Sequence, residues 1–256
     1  MQVADITQQQ ISTGDFEELS EGTTQSAEFA RVSAYEGFAK TWLADLYCEM
    51  AFHNDGPVYG TMEAYGLAEE EFTKAIDADG ASDAIRQAAH VGRARVRLQM
   101  GDEQGALSDA QQVDPGFELL AEYSTNTYEQ RNRIWVHVWD VSNWSVGPAF
   151  RGLTIDDTGE PDPRVALVLD PTPAFEPSQP LYAPLKVDNP SAPLRIATGD
   201  EAQYIIAEIS GGSDAVDIIN EIRQRHGIDE QWAPAGGDPN EIRDKVISER
   251  MRTLFL

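Results

Sequence analysis

SDAIRQAAHVGRARVRLQMGDEQGALSDAQQVDP, residues 82–115, reads as two helices joined by a tight turn. Ser82 is a helix N-cap residue type, because its hydroxyl can accept from an N–H that the first turn leaves open. Apolar and small residues then recur at helical spacing to Met100, and Gly101-Asp102 breaks the run. A second helix is predicted over 103–113, stopped by Asp114-Pro115-Gly116. Ala88 and Gly92 permit a close approach of backbones, and Ala106 and Ala110 are the small residues on which the second helix packs.

This pair resembles a tetratricopeptide repeat, and residues 65–79 resemble the second helix of a preceding unit. Stacked pairs of this kind serve either as a bare scaffold or as a surface for a partner. Working outward, Phe29, Val32, Tyr35, Ala39, Trp42, Leu43, Leu46 and Met50 predict a long amphipathic helix, ended by the breakers of 53–57. Tyr65, Leu67, Ala68, Phe72, Ala75 and Ile76 predict another over 61–79. Residues 1–27 are polar with weak helical periodicity. After Pro115 the character changes. Residues 116–194 are rich in Pro, Gly, Asp and aromatics, residues 134–139 (IWVHVW) predict a short strand, and 143–193 are mostly loop. Helical periodicity returns near Gly199, with Ile205 and Ile209 on one helix, Ile218 and Ile222 on a second stopped by Gly227, and a third from about 238 that is still apolar at Leu254, Phe255 and Leu256. The fold class expected is mainly α: helix pairs with a loop-rich, partly extended ligand-facing region. The expected organisation is one domain over 1–256, with a helical part at 28–115, a loop-rich part at 116–194, C-terminal helices at 195–256, and a chain that continues at both ends.

Composition narrows the function. Acidic residues outnumber basic ones 44 to 19, a formal charge of -25. Such a surface repels phosphate backbones and anionic lipid, so no nucleic-acid partner is expected. Cys48 is the sole cysteine and excludes an intramolecular disulfide. Its apolar setting predicts a buried small hydrophobe.

No catalytic motif stands out in the sequence. His53, His90, His137 and His226 lack paired metal-ligand spacing. No glycine-rich phosphate loop is present, Gly211-Gly212 reads as an interhelical turn, and no nucleophile-elbow motif frames a serine. Catalytic residues, metal and cofactors are therefore all expected to be none. The better lead is aromatic. Tyr123, Tyr128, Trp135, Trp139, Trp144 and Phe150 fall close together. Flat rings suit a sugar face, with Asn and Arg supplying directional hydrogen bonds. The candidate ligand residues are Trp144, Phe150, Trp139 and Asn143, with Trp144 exposed in a loop. Net charge favours an uncharged oligomer, unless an anionic one meets a local arginine patch such as Arg131 and Arg133.

A further set of segments resembles the SusD/RagB family of outer-membrane nutrient-uptake lipoproteins. They are Pro193-Leu194-Arg195 with Glu201, Ala207-Glu208, Asn220-x-x-Arg223-x-Arg225-x-Gly227 and Glu249-Arg250, together with Asp162-Pro163-Arg164 and Leu185-Lys186. The resemblance implies a helical fold and no catalysis. It implies a lipid-anchored protein of the outer membrane and cell surface that captures oligosaccharides or other oligomeric nutrients for a TonB-dependent, SusC-like transporter. The family's export signal and lipid-bearing cysteine are not among residues 1–256, and Cys48, read as mid-helix, does not replace the latter. Arg195, Glu208, Asn220, Arg223 and Arg250 are expected to form buried or half-buried polar pairs that lock helices together. The alternative function is a soluble tetratricopeptide-type adaptor gripping a peptide with arginine or lysine clamps.

Overall fold

The computed structural model describes residues 27–53, 56–155, 158–171, 176, 178–236, 238 and 240–256. The polar stretch 1–26 and Pro173, Pro177 and Pro239 lie outside these residues. The chain divides into two compact units rather than along the three consecutive stretches expected: one holds the described residues up to Leu119 with Ala197–Ile209, the other Leu120–Ile196 with Ser210–Leu256.

The first unit is built of helices α1 (Ala27–Leu46), α2 (Thr61–Asp77), α3 (Asp83–Met100), α4 (Glu103–Ala110) and, from later in the chain, α6 (Gly199–Ser210). Each boundary has a local cause. Gly60 N–H donates to Glu63 Oε2 at 2.9 Å at the start of α2. Ser82 Oγ accepts from Ile85 N–H at the start of α3, which ends on Gly101 at φ 83°. Asp102 then caps α4 through Gly105 N–H at 3.0 Å. These are the two helices and the turn predicted from residues 82–115, with α4 one turn shorter.

Side-chain size governs how α1, α2 and α3 meet. Phe72 of α2 is fully buried, and a Cβ placed on Gly37 of α1 or Gly92 of α3 would come within 2.7 and 2.2 Å of its ring. Both helices therefore pass close to one phenyl ring, and Phe38 meets that ring edge-on at 4.9 Å. Ala88, Ala106 and Ala110 are buried, as close packing requires. The apolar face predicted for α1 is only partly the buried one: Phe29 is buried and Val32, Ala39 and Leu43 are half-buried. Tyr35, Trp42 and Leu46 are exposed, whereas Ala30, Ala34, Gly37, Phe38, Thr41 and Ala44 are buried. Close helix contact selects small side chains over large apolar ones. Lys40 is buried on the same face and bridges Glu36 of α1 at 2.7 Å and Glu71 of α2 at 2.9 Å. Beyond α1, Cys48 is exposed, correcting the buried, mid-helix reading. Met50 belongs to β1 (Glu49–Met50), which pairs antiparallel with β2 (Tyr59–Gly60). α6 is fastened to α3 by a two-pronged pair, Arg95 Nε and Nη2 to Glu201, each at 2.6 Å.

The second unit holds a hairpin-like pair, β4 (Leu167–Asp170) and β5 (Leu181–Pro184), antiparallel with Leu167 opposite Pro184 and Asp170 opposite Leu181. The chain passes between the units within β3 (Glu118–Ala121), within β6 (Leu194–Thr198) and again after Ile209. The expected strand over 134–139 is instead helical. A single turn, α5 (Arg133–Trp135), widens into a π turn over Val136–Asp140. Trp135 and Trp139 are four residues apart, and that interval suits two strand repeats and about one helical turn alike. The capping Asn132, which accepts from Ile134 and Trp135 N–H at 2.9 and 3.2 Å, settles it locally. Val138 then packs with Leu181 and Ala183 of β5. Helices α7 (Gly212–Arg225) and α8 (Glu241–Thr253) complete the unit, with Ile219, Ile222 and Val246 buried. Gly211 and Gly212, both at positive φ, turn the chain into α7, Gly211 as its N-cap and Gly212 as its first residue. α8 ends at Thr253 instead of running on through Leu256, and Phe255 turns inward against Phe150 at 4.8 Å.

Candidate ligand-binding site

The second unit contains a buried ionic network. Asp162 caps the short turn Pro163–Val165 by accepting from Arg164 N–H at 3.0 Å, and takes the Arg164 guanidinium through Nε at 3.0 Å and Nη2 at 2.7 Å. Arg164 Nη1 reaches Glu249 of α8 and donates to Thr253 Oγ1 at 3.2 Å. Arg223 of α7 and Lys245 meet the same Glu249 at 3.1 and 2.9 Å, and Arg252 meets Asp162 at 3.2 Å. Burial works to raise both carboxyls, but Arg164 foremost, with Arg252 at Asp162 and Lys245 at Glu249, holds them below their ordinary values. Two carboxylates held charged among buried cations lock α7, α8 and the 162–165 turn together.

The polar residues singled out from sequence divide between buried and exposed. Arg223 is buried in this network. Asn220 is half-buried and clamps Trp232, donating from Nδ2 to its carbonyl at 2.9 Å and accepting its N–H at 2.8 Å. Arg250 is half-buried, but Arg195 and Glu208 are exposed, not buried as expected. Asp162, Glu249 and Arg252 carry the network and were not among the predicted site residues. The Asp162-Pro163-Arg164 and Glu249-Arg250 segments signal the first two in sequence, and nothing signals Arg252.

Trp144 and Asn143 come together at His137. The π turn presents the His137 carbonyl, which accepts from Asn143 N–H at 2.9 Å and Trp144 N–H at 3.1 Å. Ser142, at φ 58°, makes the reversal that brings the chain back. The Trp144 indole then stacks on the His137 ring, centroids 4.1 Å apart and planes 22° from parallel. His137 Nδ1 lies 3.1 Å from Asn143 Oδ1. One indole face is covered, yet Trp144 remains 51% exposed. About half of its surface therefore stays accessible to a flat ligand.

The loop beneath is tied to β5. Ser145 Oγ donates to the Pro180 carbonyl at 2.9 Å and accepts from Tyr182 N–H at 2.9 Å. Val146 N–H donates to the Tyr182 carbonyl at 2.9 Å. Arg151 lies 4.4 Å over the Tyr182 ring and donates from Nε to the Val146 carbonyl at 2.8 Å. His137, Ser145, Arg151 and Tyr182 were not identified from sequence, because each acquires its place through a partner up to 37 residues away. Trp139 and Phe150 are not part of this platform. Trp139 packs on the Val138, Leu181 and Ala183 cluster with its Nε1 buried, since helical curvature turns it inward, and Phe150 packs on Phe255. Among the described residues no group of three or more His, Cys, Asp or Glu could hold a metal ion, and no helix is long and apolar enough to cross a membrane.

No protein-family model and no curated protein matches the chain. Solved structures do. The chain is similar to a SusD-like carbohydrate binding protein from Bacteroides vulgatus, with a TM-score of 0.62 at 15% identity, over 99% of this chain and 66% of that one. It is similar to a SusD superfamily protein from Parabacteroides distasonis, with a TM-score of 0.66 at 14% identity, over 98% and 69%. A SusD-like protein from Bacteroides fragilis gives a TM-score of 0.60 at 13% identity, over 100% and 72%. The chain thus spans about two thirds of the length of these proteins, and its mainly α-helical fold is the SusD-like one.

Proposed function

We propose that the chain is a non-catalytic member of the SusD family that captures glycans at the Trp144 platform. The observation that carries this reading is the indole stacked on His137 yet half exposed, on a loop pinned to β5. Sugar rings present apolar C–H faces edged by hydroxyls. An open indole meets the face, and Trp144 Nε1, His137 Nε2 and the Asn143 amide can meet the hydroxyls. The fold likeness to a protein described as carbohydrate binding points the same way. The finer reading is that the captured oligosaccharide passes to a TonB-dependent, SusC-like transporter, with the protein lipid-anchored at the outer-membrane surface. This rests on the family resemblance.

The adaptor alternative needs arginine or lysine clamps free to hold a peptide. Along α3 the arginines are engaged: Arg93 and Arg97 are held by Asp109 at 2.7 and 2.8 Å, Arg95 by Glu201 at 2.6 Å, and Arg86 donates to the Ala78 and Asp79 carbonyls at 3.2 and 3.3 Å. The test is calorimetric titration of the full chain and of Trp144→Ala against a panel of neutral and acidic oligosaccharides. Stacking contributes roughly 1 kcal/mol or more, so the substitution is expected to weaken binding about five- to tenfold. An unchanged affinity removes Trp144 from the site. Release of reducing ends by the purified protein, lost in a carboxylate variant, overturns the non-catalytic reading.

A further inference from the structure

In a chain of charge -25, arginines are usually claimed by acids, and here Arg93, Arg95, Arg97, Arg164, Arg223 and Arg252 each hold a carboxylate. Arg131 and Arg133 do not. Among the described residues neither forms an ion pair with an acid within 4.0 Å; both guanidinium carbons lie instead over the ring of Tyr128, at 5.3 and 5.4 Å. Tyr128 is itself 43% exposed. Arg131 is half-buried, and its Nε is buried with no hydrogen-bond partner in the structure.

The residue between the two arginines is fixed. Asn132 is fully buried, donates from its amide Nδ2 to the Ala192 carbonyl at 2.7 Å and from its backbone N–H to the Pro190 carbonyl at 2.8 Å, and caps α5 with Oδ1. Arg131 N–H donates to the Tyr128 carbonyl at 3.3 Å, and Ser124 N–H to the Gln130 carbonyl at 2.9 Å, which closes the loop that presents the tyrosine. Arg131 and Arg133 are thus displayed from an anchored backbone. Glu129 is exposed and near enough to be influenced by Arg133, but its carboxyl is held low first by its own backbone N–H and then by Thr127. Arg133 lies four residues before His137, about one helical turn from the Trp144 platform.

We propose that Arg131, Arg133 and Tyr128 form a carboxylate subsite, taking the uronic acid unit of an oligosaccharide whose neighbouring ring lies on Trp144. The proposal rests on the glycan-capture reading above. A planar guanidinium with paired N–H donors matches a carboxylate, and the cation–π contact with Tyr128 holds both guanidiniums beside one ring. The site also gives an acidic glycan a point of entry on a surface that otherwise repels it.

The test is calorimetric titration of the full chain with an oligogalacturonate, its methyl ester, and a sulfated neutral oligosaccharide of similar length. The free acid is expected to bind at least about tenfold more tightly than the ester. Arg131→Gln with Arg133→Gln should abolish that preference, and the exposed Arg133→Gln alone should reduce it if the double variant misfolds. Trp144→Ala should weaken acid and ester by the same factor. Equal affinity for acid and ester, a preference that survives in the arginine variants, or no binding of either, overturns the subsite. Tighter binding of the sulfated ligand overturns the carboxylate assignment. If the acid preference stands while Trp144→Ala changes nothing, the subsite holds and the platform reading fails.

Discussion

Two glycines in the first unit look alike in sequence and differ in cost. Gly92 faces the Phe72 ring, where a Cβ would sit 2.2 Å from Cζ, whereas Gly66 has nothing within 4 Å. Both lie inside helices, where alanine is intrinsically favoured by roughly 0.5–1 kcal/mol. Gly66→Ala should therefore raise stability by about that amount. Gly92→Ala must displace a buried ring wedged against two helices and should lower stability by about 1–3 kcal/mol. Urea unfolding of the two variants beside the parent checks this, and the same sign for both would refute the wedge. Gly92 was legible in sequence as a point of close approach. Gly37, its counterpart on α1, was not, because only the packed structure shows that both meet one ring.

Among the elements, α8 is held by charge more than by apolar contact. Lys245, Glu249, Arg252 and Thr253 are buried on it, beside Val246. Glu249 is the acid shared by Arg164, Arg223 and Lys245. Removing one partner from such a buried set costs about 3–5 kcal/mol, so Glu249→Gln should lose that much stability near neutral pH. The sign of the pH dependence follows from the depressed carboxyl. Its folded value lies below the unfolded 4.5, so its contribution is complete above 4.5 and is lost as pH falls through the folded value. Wild type and Glu249→Gln should then converge in acid. Unfolding free energies measured near pH 7 and well below the ordinary carboxyl range decide it, and a constant gap between the two proteins would count against the assignment. Helicity was legible here from Ile242, Val246 and Ile247, yet Ile247 is 52% exposed while charged residues are buried. Periodicity locates an element but assumes that the apolar residues face inward.

At the scale of the whole molecule, net charge opposes folding. With 44 acids against 19 bases and a sequence pI near 4.3, the native surface repels itself at neutral pH. Screening at 1 M salt contracts the Debye length to about 3 Å and weakens long-range repulsion more than the close buried pairs. The thermal midpoint should therefore rise by a few degrees between low salt and molar sodium chloride. A fall on adding salt would mean that surface ion pairs outweigh the repulsion. The same charge imbalance makes Arg131 and Arg133 conspicuous, since cations left without a carboxylate are unexpected where acid is in such excess.

What the sequence determined by itself is local. Ser82, Gly101 and Asp102 dictate where α3 and α4 begin and end, because caps and positive-φ turns depend on a few adjacent residues. Asp114-Pro115 closes the pair for the same reason, and the mainly helical class follows from apolar periodicity. Trp144 was legible as exposed, being flanked by turn residues. The rest waited on tertiary contacts. The buried face of α1 followed the demand for small residues against Phe72, and the 134–139 segment became helical through Asn132 and its partners at 190 and 192. His137 became a stacking partner only when the chain returned at Trp144, and Glu249 an anchor only when Arg164, 85 residues away, came beside it. A candidate site assembled from residues so far apart leaves no spacing to read, because each position matters through a neighbour that only folding supplies.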